Sequence, residues 1–308
     1  MTLHPQSQTF LDAIADQDGP GWHELPPDEG RKGFKGLQEL FGTGPDLARV
    51  ENHSLDNGVA IRLYSRTPKS DSKLPVVMYF HGGGWVLGDL ETHDTLCRHI
   101  AGETGFVVVS VDYGLAPENK FPGPVNDCYS ATEFVYSRAD ELGVDADKLA
   151  VAGDSAGGNL AAAVAIRSRD QGGPPVKFQL LIYPVVEPVF ENGSYKLFGE
   201  NHGLSSAEMK WFWDQYLETP GDAENPLASL SKSKSLAGVA PAHLITAQYD
   251  VLRDEGERYA ARLSADGVPT TTKRYDGMLH GFVHLRTVFD DADQAIKDIS
   301  SELKKHLS

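Results

Sequence analysis

Cysteine is nearly absent from this 308-residue chain. It has two, Cys97 and Cys128, and they form no C-x-x-C pair. That excludes a disulfide framework and a cysteine-built metal site, and both read as reduced, buried thiols acting as small hydrophobes. Basic residues are also scarce: 28 Lys and Arg stand against 44 Asp and Glu, for a formal charge of −16 and a pI near 5.0. Nucleic acid is therefore not an expected partner, and anionic membrane surfaces should repel the chain. No apolar stretch approaches a membrane span, and the N-terminus lacks a basic region followed by an apolar run. The expectation is a protein with no stable membrane association, placed in the cytoplasm. No internal repeat stands out, and the Ser/Lys-rich stretch 229–235 reads as an exposed loop.

Apolar residues make up 40% of the sequence, enough for one large α/β domain with an inserted cap, or two small domains. Short apolar, β-branched runs recur at 75–80, 106–111, 148–152, 178–183, 242–247 and 270–275. Helix-like stretches lie near 93–103, 124–140, 156–170, 254–266 and 287–307. This alternation predicts a mostly parallel sheet covered on both faces, with ligand chemistry at the carboxyl ends of the strands. Residues 1–50 and 187–226 break the alternation. The first carries helices expected at 8–16 and 31–41. The second carries the aromatic run Met209-Lys210-Trp211-Phe212-Trp213-Asp214-Gln215-Tyr216-Leu217, costly to expose. Both are expected to fold over the strand ends as a helical cap, leaving 51–186 and 227–308 as the core.

Two motifs sit at strand ends. Gly153-Asp154-Ser155-Ala156-Gly157-Gly158 follows the run Lys148 to Ala152 and precedes a helix-forming stretch from Asn159. A serine at the apex of such a turn takes a strained conformation and needs small neighbours two positions to either side. It then lies at a helix N-terminus, which favours negative charge. In a chain with 31 glycines a lone G-x-S-x-G is weak; its strand–turn–helix setting strengthens it. The second motif, His81-Gly82-Gly83-Gly84, leaves the core strand at 75–80. Three glycines cost more backbone entropy than a plain turn requires. They suit N–H donors from Gly83 and Gly84, joined by that of Ala156, aimed at a developing oxyanion.

A serine hydroxyl needs a base, and histidine has its neutral form available near pH 7. Of eleven histidines, His280 lies in a glycine-flanked loop after the last strand. His284 is the near rival, and its expected place is the first turn of the final helix. The orienting acid should end another strand. Asp250 does so, whereas Asp254 reads as the N-terminal capping acid of the next helix. The expected site is Ser155, His280 and Asp250, with Trp85, Leu204, Leu252 and Phe282 as candidate walls of a substrate pocket.

At these residues the chain resembles the hormone-sensitive-lipase-like carboxylesterases of the α/β-hydrolase superfamily. The segments His81 to Gly88, Gly153 to Gly158, Tyr249 to Gly256 and Leu279 to Phe282 carry the resemblance, with Leu115-Ala116-Pro117-Glu118 and Phe121-Pro122. It implies an α/β-hydrolase fold, Ser155, Asp250 and His280 as triad, and Gly83, Gly84 and Ala156 as oxyanion donors. It also implies a small-molecule ester of short to medium acyl chain as substrate, cofactor-free hydrolysis and a helical cap. An amidase, lactonase or deacetylase would use the same triad. A non-catalytic ligand receptor on this scaffold would lack the histidine present here. A homodimer is left open. One departure concerns Tyr113-Gly114-Leu115, where the family usually has arginine at the middle position. The expectation is that Gly114→Arg raises thermal stability.

Overall fold

The computed structural model describes residues 2–16 and 19–308. Met1, Gln17 and Asp18, three positions of the expected cap segment 1–50, lie outside the described residues. The strands are β1 (Arg49–Ser54), β2 (Ala60–Ser65), β3 (Leu74–Phe80), β4 (Val107–Asp112), β5 (Val144–Asp154), β6 (Val176–Ile182), β7 (Ala242–Tyr249) and β8 (Thr270–Leu279). They form one sheet in the order β1-β2-β4-β3-β5-β6-β7-β8. β2 is antiparallel to both β1 and β4, and all other pairs are parallel.

The helices are α1 (Pro5–Ala15), α2 (Pro27–Gly36), α3 (Gln38–Phe41), α4 (Asp94–Thr104), α5 (Gly123–Ser137), α6 (Ala139–Leu142), α7 (Ala156–Gln171), α8 (Gly193–Phe198), α9 (Ser206–Tyr216), α10 (Arg253–Ala265) and α11 (Asp290–Leu307). β5 and β6 each pack against both α7 and α11. Covered on both faces, the central strands need no polar alternation, and Val76, Val77, Met78, Tyr79 and Phe80 are wholly buried. Among the described residues, no helix is long and apolar enough to cross a membrane.

The hairpin β1–β2 has no counterpart in the sequence expectation. β1 is an edge strand that alternates Arg49, Glu51 and His53 with residues of mixed polarity, so its apolar signal is weak. The stretch 229–235 also differs from expectation: Ser229, Leu230 and Ser233 are buried rather than exposed. His284 precedes α11 instead of opening it, because that helix starts only at Asp290. Asp254 lies in the first turn of α10, where its charge suits the dipole. Its hydrogen bond, however, goes to the Ser194 N–H of α8 at 2.8 Å, so it ties two helices rather than capping one.

The two segments outside the alternation touch each other and the loop after β3. Trp22 N–H donates to Glu208 Oε1 at 3.2 Å. Trp85 stacks on Tyr216, with ring centroids 4.0 Å apart and planes 3° from parallel. Arg31 of α2 donates to the carbonyls of Val86 and Ala116 and to the Glu118 carboxylate. At Gly114 the expected gain from Gly114→Arg meets an obstacle, because a side chain there would strike Asn119. Asn119 packs against Gly114, donating to Asp127 Oδ2 at 2.9 Å and to the Gly114 carbonyl at 3.3 Å.

Candidate active site

Ser155 stands between the last residue of β5 and the first of α7, with φ 54° and ψ −120°. A non-glycine residue adopts such a conformation only under strain, held by what surrounds it. Here the Ser155 N–H donates to Ile182 O at 2.8 Å, and its carbonyl accepts from Val185 N at 3.1 Å. Strand and helix meet so closely that a β-carbon on Gly153 would strike the Gly157 carbonyl, and one on Gly157 would strike Phe80 O. The two glycines are thus required by contact, not by flexibility.

The Ser155 hydroxyl lies 3.0 Å from His280 Nε2, and His280 Nδ1 lies 2.7 Å from Asp250 Oδ2. A carboxylate oxygen only accepts, so Nδ1 carries the hydrogen. Nε2 is left with a lone pair directed at the hydroxyl. Asp250 is completely buried at its side chain, and its other oxygen accepts the Leu252 N–H at 2.9 Å. His280 follows β8, and Tyr183, at the end of β6 with φ 34°, places its ring 4.6 Å from the imidazole.

Above Ser155 lies the loop His81–Gly84. Gly83 has φ 108°, and a β-carbon there would strike Leu87 O. Among the described residues, the N–H groups of Gly83, Gly84 and Ala156 donate to no protein acceptor. Three free donors beside a nucleophile at a helix N-terminus are the chemistry of an anion site. His81 makes no contribution of charge: burial pushes its pKa from 6.5 down to about 4.

Of the four expected pocket walls, Trp85, Leu252 and Phe282 have no exposed surface in this state. Leu204, just before α9, is half-buried and packs against the core. Phe212, one of the aromatic run assigned to the cap, has its ring over Gly84. Sequence reasoning passed over the buried group around Asp154: Tyr79, His93 and His284. Asp154 adjoins the nucleophile in the hexapeptide, but nothing local reveals partners drawn from three other segments.

A strained serine on a strand–helix turn, backed by a histidine and a buried aspartate on a mostly parallel sheet, defines a serine hydrolase of α/β architecture. A family profile described as alpha/beta hydrolase fold matches residues 77–284. The chain belongs to this family, in its hormone-sensitive-lipase-like branch. It is 40% identical to an esterase, LipI, of Mycobacterium tuberculosis, over 82% of this chain and 80% of that protein. It is 32% identical to the ethyl acetate hydrolase of Pseudomonas putida over the full length of both. A thermostable esterase from Pseudomonas putida ECU1011 superposes with a TM-score of 0.94 at 39% identity, covering 100% of this chain and 98% of that one.

Proposed function

We propose that the protein is a serine carboxylesterase acting on esters of short to medium acyl chains, with Ser155 as nucleophile, His280 as general base and acid, and Asp250 as orienting acid. The observation that carries this reading is the continuous line from Ser155 Oγ to His280 Nε2 at 3.0 Å and from His280 Nδ1 to Asp250 Oδ2 at 2.7 Å. Carboxylic ester hydrolysis is also the activity named for its relatives, one of them an ethyl acetate hydrolase.

Ser155 attacks the ester carbonyl carbon as His280 Nε2 takes the hydroxyl proton. The carbonyl oxygen, now anionic, receives hydrogen bonds from the N–H groups of Gly83, Gly84 and Ala156. Asp250 holds the Nδ1–H tautomer and stabilises the imidazolium without taking its proton. The imidazolium protonates the departing alcohol, leaving an acyl-serine. Water then attacks under the same base and releases the acid. Each step is carried by side chains and backbone N–H groups, and none calls for a metal or organic cofactor.

The segments 1–50 and 187–226 form the cap in this reading. Leu204 is the pocket wall that retains free surface. Trp85, Leu252 and Phe282 form a layer behind the wall. The two free, buried thiols suit the reducing cytoplasm.

Purified protein should hydrolyse p-nitrophenyl acetate and butyrate, with the rate falling for long acyl chains. Ser155→Ala should lower kcat by about 10⁴-fold or more. Near-normal turnover in that variant would refute the assignment.

A further inference from the structure

Asp154 precedes the nucleophile, is buried, and serves several segments with one carboxylate. Oδ1 accepts the Tyr79 hydroxyl at 2.8 Å and the Gly82 N–H at 3.1 Å. The same N–H is shared with His93 Nε2 at 3.2 Å. Oδ2 lies 3.1 Å from His284 Nε2. The Gly82 backbone rests directly on this carboxylate, for a β-carbon there would strike Oδ2. The partners come from β3, the oxyanion loop, the residue before α4, and the loop that carries His280.

His93, Asp154 and His284 have donor atoms within 4.8 Å of one another, a spacing a metal ion could bridge. The hydrogens already present argue against one. Thr92 Oγ1 donates to Asp89 O, so it accepts from His93 Nδ1, 2.9 Å away. That leaves His93 neutral, with its Nε2 lone pair turned to the Gly82 amide hydrogen. A cation among these atoms would meet that hydrogen. The cluster is a hydrogen-bond node, and its carboxylate is the anion. Burial opposes ionisation, yet the adjoining His284 imidazole holds Asp154 well below the ordinary carboxylate range.

We infer that Asp154 is a positioning residue that fixes the oxyanion loop and the histidine loop to the nucleophile through a single buried carboxylate. Gly82 precedes both proposed oxyanion glycines, and His284 shares a loop with His280. The oxyanion loop cannot shift relative to Ser155 without breaking the buried Gly82 N–H bond to a carboxylate, the strong kind, and the histidine loop cannot shift without opening the 3.1 Å approach of His284 Nε2 to the same group. Small displacements of this sort lower turnover far more than substrate binding. The inference rests on the reading of Ser155, His280 and the loop glycines given above.

The test compares Asp154→Ala, Asp154→Asn and His284→Gln with the wild-type enzyme. The readouts are kcat and KM for p-nitrophenyl butyrate, and titration of the serine with diethyl p-nitrophenyl phosphate. Asp154→Ala should lose about 10²-fold in kcat, with KM changed by less than about threefold and the serine still titrating fully, but slowly. Asp154→Asn keeps an oxygen for Tyr79 and Gly82 and should recover about tenfold of that loss. His284→Gln should lose about tenfold in kcat alone, and it decides the matter if Asp154→Ala does not fold. A kcat within about twofold of wild type in whichever of these two variants folds, or a loss confined to KM, overturns the inference. Wild-type protein inert toward both reagents overturns the esterase reading and this inference together. Active wild type beside an unaffected variant overturns this inference alone.

Discussion

The ring of Phe212 lies on the α-carbon of Gly84, so close that any side chain at position 84 would run into Cδ1, Cγ and Cε1. α9 thereby touches the loop whose N–H groups receive the oxyanion in the proposed mechanism. In the proposed mechanism the ester carbonyl binds against that loop, which makes Phe212 a candidate pocket wall. Phe212→Ala removes that wall and should shift the preferred acyl chain toward greater length. The octanoate-to-butyrate ratio of kcat/KM should rise by about tenfold, since a few methylenes of new contact supply that much discrimination. An acyl series with p-nitrophenyl esters measures it, and an unchanged ratio would remove Phe212 from the pocket.

Gly157 is held by backbone, not by side chains that could swing aside. Its β-carbon position falls on Phe80 O, with His81 O 2.6 Å away. Gly157→Ala must push α7 off β3 or distort the turn at Ser155. It should cost about 4 kcal/mol or more, the range reserved for severe backbone and packing conflicts. Chemical denaturation with circular dichroism gives the value, and a loss below about 1 kcal/mol would show that the turn can relax.

Two buried groups tilt stability in opposite directions with pH. Burial pushes the Glu255 carboxyl well above its ordinary 4.5, against the weaker pull of the Val186 and Glu187 N–H groups. Burial disfavours its charged form in the folded state, so its contribution is full below 4.5 and is lost as pH rises toward its folded value. His81 folds neutral, its pKa lowered from 6.5 to about 4 by burial, so its contribution is lost as pH falls through that window. Glu255→Gln removes only the first slope. The melting temperature of this variant, relative to wild type, should climb steadily from acidic to alkaline pH. A constant difference would mean that Glu255 does not change ionisation on folding.

The chemistry-bearing part of this fold was legible because backbone geometry dictates it. Gly153 and Gly157 are spaced by the contact between strand and helix, and the central runs of β3, β4, β6 and β7 are apolar because both faces are covered. Asp250 and His280 were found by their places after strands, which need only the order of elements. In the hairpin β1–β2, the edge strand β1 carries polar residues and Arg62 interrupts the apolar run of β2, so both were missed. The Asp154 node was missed for a different reason. Its partners Tyr79, Gly82, His93 and His284 meet only when four segments converge, and no local pattern records a convergence.

Gly114 is the position where sequence and structure disagree most usefully. The arginine usual in the family suggested that Gly114→Arg would raise thermal stability. Asn119 is wedged between Gly114 and Gly123, and a β-carbon at either glycine would strike its amide. Asp127 Oδ2 accepts both the Gly114 N–H and the Asn119 amide at 2.9 Å. Gly114→Arg must therefore expel the Asn119 side chain and break its bonds to Asp127 and to the Gly114 carbonyl. The expected change is a loss of about 1–3 kcal/mol, seen as a melting temperature several degrees lower. Adding Asn119→Ala clears the amide and leaves the guanidinium free to approach Asp127, so the double variant should melt above the single one. Differential scanning fluorimetry on wild type and the two variants reads both effects. A single variant more stable than wild type would show that Asn119 leaves its slot at no cost.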